Sequence, residues 1–376
     1  MSAHQGSFLS NRSALVTPER SEYTAPDGLL PRHTISIVVA TYDRPADLRN
    51  CLQCLVNQQT THPVEIIVVD NHPVSGLTPP VVAEFPGVVL VCEPRQGLAY
   101  ARNAGFIASR GDIVVTTDDD VLAPPDWLES LVAPFADEEV MVVTGNTLPL
   151  ALETEAQRLF EAYGGLGRGS QFRKVGREWF RSFRRQAVPT WRLGATANAA
   201  FRATIFGHPE IGLMDEALGP GMPSGVGEDT YLFYKVLKAG FSMVYEPAAV
   251  VLHKHRREMA ALRRQLYDYS KGHVAYHLTT WLRDGDIRAL FHVFCLMPPW
   301  RVWQIIRLLI NEVRGTNNYS LSLLLLEIRG NLAGAFALWR SRRRVAREGR
   351  SGSVCPPVKQ NRAAEFESLL SAKATH

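Results

Sequence analysis

A chain of 376 residues is too long for one average domain, and 46% hydrophobic content is enough for a sizeable core, so a catalytic domain with an appendage is expected. The net charge of +4, from 41 basic and 37 acidic residues, defines no polyanionic partner, and nucleic acid is not expected. Charge is segregated instead: basic residues crowd into 168–185 and 340–350, while Asp118, Asp119 and Asp120 stand together.

Residues 1–33 lack the apolar run of a signal peptide and read as a flexible polar leader. Five cysteines are scattered as an odd set rather than a disulfide framework, which predicts a reducing compartment and a cytoplasmic protein. Cys51 and Cys54 form a CxxC, but with Leu48, Leu52 and Leu55 they fall on the buried stripe of a helix, so core packing is expected of them.

The run 35–40 is a buried strand ending in Thr41, Tyr42, Asp43, Arg44 and Pro45, and Pro45 opens a helix. Strands follow over 64–69, ending at Asp70, and over 88–91; an alanine-rich helix at 98–109 carries Arg102 and Asn103. The next strand, 113–116, runs into Asp118, Asp119 and Asp120. Adjacent carboxylates aimed by a buried strand need a cation or tightly held donors, and a divalent metal is the expected partner; a solvated acidic turn before Pro124 and Pro125 is the alternative.

Strands alternating with helices imply a mainly parallel sheet, with ligands at the carboxyl ends of the strands. Thr41 and Asp43, Asp70, and the three aspartates each follow a strand, so three segments converge on one edge. A helix at 127–135 and a strand at 140–144 come next. Between 153 and 189 the pattern degrades into glycines followed by interleaved arginines and aromatics, which reads as a surface for anionic headgroups, a flap, or a solvated loop. Small residues around Asn198 leave room for a ligand or a backbone to approach. Glu228 and Asp229 start a helix after a glycine-rich loop, where carboxylates also serve as simple caps. Short strands at 241–245 and 249–252 lead to His253, either a structural histidine or a ligand.

The segments SIVVATYDRPADLRNCL, EIIVVDN, GLAYARNAGFIASRGDIVVTTDDDVLAPPDWL, GATANAAFRA and GVGEDTYLFYKVLKAGF followed by VVLH, taken in order over 35–255, resemble glycosyltransferase family 2, inverting enzymes of GT-A fold. The resemblance implies an α/β, Rossmann-like, mainly parallel sheet over 34–255. It implies that Thr41 and Asp70 hold the nucleoside of a nucleotide-sugar donor, a UDP-sugar by preference, with Arg102 near the nucleotide and Asp43 and Asp119 beside it. It further implies that Asp118 and Asp120 touch the ribose and carry Mg2+ or Mn2+, that His253 is a further metal contact, and that Asp229, next to Glu228, is the catalytic base. Asp43 stands where the family usually has Asn, and ATANAA replaces the more usual acceptor-side element. A nucleotidyltransferase, or an inactive sugar-binding scaffold on a membrane, are the rival readings.

Beyond His255 the chain turns to helical runs rich in Arg, Leu and Trp over 256–340. Pro298, Pro299, Arg301 and Arg307 interrupt one run and Glu327, Arg329 and Asn331 another, so neither gives an unbroken apolar span of about 20 residues. Interfacial helices are expected, with Arg340, Arg342, Arg343 and Arg344 on anionic lipid; a subdomain packed on the sheet is the alternative. The acceptor would then be a lipid-linked or cell-envelope glycan, at the inner face of the membrane. A basic, disordered tail is expected from Ser341 onward.

Overall fold

The computed structural model describes residues 32–313 and 320–351; nearly all of the leader, Cys355 and most of the expected tail lie outside them. In chain order the elements are β1 (Ile35–Thr41), α1 (Pro45–Val56), β2 (Val64–Asp70), α2 (Thr78–Ala83), β3 (Val89–Cys92), α3 (Leu98–Ala108), β4 (Ile113–Asp118) and β5 (Val121–Leu122). They continue with α4 (Trp127–Val132), β6 (Val140–Pro149), α5 (Glu155–Tyr163), β7 (Arg173–Val175), α6 (Arg177–Ser182), β8 (Asn198–Arg202), α7 (Glu228–Lys238) and β9 (Ser242–His253). Four helices close the described chain: α8 (Met259–Asp284), α9 (Ile287–Phe291), α10 (Met297–Val313) and α11 (Leu321–Glu348).

The sheet runs β3-β2-β1-β4-β8-β6-β9-β5, with β7 on β9. Its first half is parallel, as βαβ crossovers require, with Thr41 opposite Asp70 and Ala40 opposite Asp118. β8 enters antiparallel between β4 and β6, so the sheet is mixed rather than parallel throughout. Strand β1 is buried along its whole length, because helices cover both faces. One face packs Leu48, Cys51 and Leu52 of α1 against Ile35, Ile37 and Val39, which places Cys51 in the core. On the other, α3 crosses so closely that a Cβ on Gly105 would sit 2.3 Å from a methyl of Val38.

The two short strands expected near 241–252 are one strand, β9, whose register against β6 breaks between Gly145 and Asn146. That break explains Asn198. Fully buried, it donates to the carbonyls of Asn146 and Ala249 and accepts from Trp127 Nε1 at 2.9 Å, so the close approach there is made by backbone. The degraded segment 153–189 contains α5, opened by a Thr154–Gln157 capping box, and then β7 and α6.

The C-terminal helices depart from expectation at three points. Pro298 and Pro299 fall in the first turn of α10, after a π-helical turn at His292–Leu296, so the helical run is not interrupted there. Ile287–Ile310 and Leu321–Glu348 are both long and apolar enough to cross a membrane; their most apolar 18-residue stretches have mean hydropathies of 1.3 and 1.5, with only 6% of the first buried against 39% of the second. In α11, Glu327 accepts from Arg301 of α10 at 2.7 Å, and Asn331 accepts from the same guanidinium while donating to Ser270 O, which partners the polar groups that seemed costly. Gly330 and Gly334 let α11 lie against α8, where a Cβ on either would approach within 2.7 Å. Finally, α11 continues to Glu348 instead of giving way to a disordered tail at Ser341, and Arg344, expected on lipid, donates to the carbonyls of Gly221 and Gln96.

Candidate active site

Three strand ends deliver the site. β1 ends in Thr41, β2 in Asp70 and β4 in Asp118, and register makes them neighbours at the carboxyl edge of the sheet. Thr41 Oγ1 donates to Asp119 Oδ2 at 2.7 Å, which turns Asp119 back toward β1. Asp70 is fully buried; Oδ1 accepts from His72 N, and Oδ2 has no hydrogen-bond partner among the described residues.

The aspartates separate in role. Asp118 Oδ1 accepts from Arg102 at 2.7 Å, while Asp119 and Asp120 share Arg44 Nη1 at 3.0 and 2.7 Å. Arg44 was not singled out by sequence, although a cation immediately after β1 in a chain with an acidic edge was the available signal. Burial pushes the carboxyls of Asp119 and Asp120 up to about 6, against the opposing effect of that guanidinium.

β9 brings in His253, whose Nε2 lies 3.3 Å from Asp120 Oδ1 because Val121 pairs with His253. Ligand atoms of Asp118, Asp120 and His253 all lie within 4.8 Å of one another. Two carboxylates and a neutral imidazole suit a divalent cation, and burial lowers His253 to about 4, leaving it in the ligating form. Behind it, His253 Nδ1 is 3.1 Å from His255 Nδ1, and His255 Nε2 is 2.7 Å from Glu161 of α5. Such a chain orients a ligating ring.

On the other side of Arg102, α7 begins with Glu228 and Asp229, after a glycine-rich loop. Gly225 and Gly227 take φ of +83° and +128°, and a Cβ on Gly225 would lie 2.4 Å from Asp268 O of α8, so the loop is pressed against the appendage. Glu228 is buried, accepts from Gly227 N and faces Arg102 at 3.2 Å; burial and Asp229 raise its carboxyl to about 7 despite that guanidinium. Asp229 is half-buried and accepts only from Thr230 among the described residues, so its carboxylate is the more available of the two.

Asp43 takes a left-handed φ of 53° and its Oδ2 lies 2.7 Å from His72 Nδ1, with Tyr42 stacked on the same imidazole at 4.9 Å. It ties the loop after β1 to the loop after β2. His72 is a further residue that the sequence did not single out.

The fold and site therefore define an α/β protein with an acidic, cation-competent site where parallel strands end. Residues 36–203 match the family model Glycosyl transferase family 2. The pre-mycofactocin glycosyltransferase of Mycobacterium tuberculosis is 27% identical over 237 residues, which are 61% of this chain and 44% of that protein. The hyaluronan synthase of Pasteurella multocida is 32% identical over 126 residues, 31% of this chain and 13% of that one, so the chain spans less than half the length of these two relatives. A solved mannosyltransferase from Pyrobaculum calidifontis, in complex with GDP-Man and Mn2+, superposes with a TM-score of 0.47 at 18% identity, covering 92% of this chain and 80% of that one.

Proposed function

We propose that the protein moves a sugar from a nucleotide-sugar donor to an acceptor hydroxyl, with inversion at the anomeric carbon. The observation that carries this reading is the convergence of ligand atoms of Asp118, Asp120 and His253 within 4.8 Å, with Arg102 joining Asp118 to Glu228, the neighbour of Asp229. When bound there, Mg2+ or Mn2+ would neutralise charge on the departing diphosphate. Thr41 and Asp70, at the ends of adjacent strands, are assigned to the nucleoside, and Asp43 and His72 to shaping the same edge. Asp119, held by Thr41 and Arg44, lies behind the donor site, and Arg102 and Glu228 position the two walls. Asp229 takes the proton of the attacking hydroxyl, and no covalent intermediate is needed.

The acceptor is assigned to the lipid-linked or envelope-glycan class. Phe294, Trp300, Trp303, Ile306 and Leu309 are exposed along one helical run, with Arg307 over the Trp303 ring at 5.3 Å, a pairing that suits a lipid headgroup boundary. These exposed groups support a seat on a membrane surface, assigned here to the inner face. The test is release of nucleoside diphosphate from UDP-, GDP- and dTDP-sugars with and without Mn2+, in the presence of a polyprenyl-phosphate or glycan acceptor. Metal-dependent release from one donor is expected; silence across the whole panel would sink the reading.

A further inference from the structure

We propose that His273, His277 and His292 form a second metal site, for a divalent transition-metal ion of the Zn2+ class, distinct from the cleft and independent of the function proposed above. His273 and His277 stand four residues apart on one face of α8, and His292 opens the π-helical turn between α9 and α10. Insertions of this kind recur at functional sites.

The three rings present the same nitrogen to a common point. His273 Nε2 is 3.2 Å from His292 Nε2 and 3.3 Å from His277 Nε2, and ligand atoms of all three residues lie within 4.8 Å of one another. Zn–N bonds of about 2.0–2.1 Å in a tetrahedron separate neighbouring ligand nitrogens by about 3.3–3.4 Å. The observed spacings are close to that edge length.

Hydrogen bonding alone does not account for the cluster. A ring nitrogen of a neutral imidazole has one in-plane position, filled by a proton or by a lone pair, so His273 Nε2 can satisfy only one of its two neighbours. The second contact is at best a weak bifurcated one, and the site is enclosed: His277 is 1% exposed, and Trp191 stands with its ring 5.0 Å from His273 and 5.4 Å from His277. A cation accepting three lone pairs satisfies all three nitrogens at once. Burial also holds the three imidazoles in the neutral, ligating form.

The donor set decides the class of ion. Three nitrogens with no carboxylate favour Zn2+ and its neighbours over Mg2+ or Mn2+, the reverse of the oxygen-rich cleft. Three protein ligands leave a fourth position for water or another small ligand. Because α8 also backs the glycine loop that carries Asp229, an ion joining α8 to the turn before α10 would fix how the exposed apolar helix leaves the catalytic body.

The full chain, stripped with a chelator and supplied with excess Mg2+ to occupy the oxygen-rich cleft, should be titrated with Co2+ as a visible-light probe. A strong four-coordinate absorption band saturating at about one equivalent, displaced by Zn2+, is expected. It should persist in Asp120→Asn and vanish in His292→Ala and in His273→Gln. No band in the parent protein overturns the proposal without any variant, as does a band retained by either histidine variant that circular dichroism reports as folded.

Discussion

The guanidinium of Arg102 lies between Asp118 and Glu228, 2.7 Å from the first carboxylate and 3.2 Å from the second. One buried cation from α3 thus joins the end of the central strand to the start of α7, and Thr196 Oγ1 accepts from the same nitrogen that faces Glu228.

Removing that link should be costly. Arg102→Ala strands Glu228 in the interior, and losing one partner of a buried pair costs about 3–5 kcal/mol. Equilibrium unfolding in urea should show a loss of this size; a loss below about 1 kcal/mol would mean that the pair contributes little.

Glu228 also predicts a pH dependence. Its folded-state pKa, raised to about 7 from 4.5, means that the folded protein binds more protons than the unfolded chain between those values. This contribution to stability is full below about pH 4.5 and is lost as the pH rises through about 7. Glu228→Gln should flatten the fall in melting temperature across that window, and an unchanged slope would assign it to other groups.

Among the described residues, His255 meets the Asp118, Asp120 and His253 group through His253. His255→Ala should weaken Mn2+ binding about 10–100-fold, measured by calorimetry, while leaving the fold intact. His253→Ala should weaken it at least as much, and equal affinity in all three proteins would remove this histidine pair from the metal site.

Asp229→Asn should abolish sugar transfer while donor affinity stays within about twofold, since a base acts on the acceptor and not on the nucleotide. Loss of donor binding in calorimetry would move Asp229 to the nucleotide side.

Trp300 and Trp303 stack at 4.9 Å and are each more than a third exposed. Changing both to Ser should lower partitioning onto anionic liposomes by about tenfold or more, equivalent to about 1.4 kcal/mol, with little change in melting temperature. Unaltered flotation would direct attention to the exposed Leu332, Phe336 and Trp339 of α11.

Strand ends were legible because their cause is local. A run such as Ile35 to Ala40 can be buried on both faces only in a covered sheet, and the residue after it must emerge at the carboxyl edge, so Thr41, Asp70 and Asp118 followed from pattern alone. The histidine cluster and the pairing of Arg301 with Glu327 left no such trace. His273 and His292 are 19 residues apart, and Arg301 and Glu327 are 26 apart, with no periodicity that connects them.

The sequence by itself determined the buried strands β1, β2 and β4 and the acids that follow them, because hydrophobic period and turn chemistry act over a few neighbouring positions. Only the tertiary structure decided which cation answers which acid: Arg44 for Asp119 and Asp120, 75 and 76 residues away, and Arg102 for Asp118 and Glu228. A buried charge takes the partner that the fold carries to it, and that choice depends on how helices cross the sheet rather than on spacing along the chain.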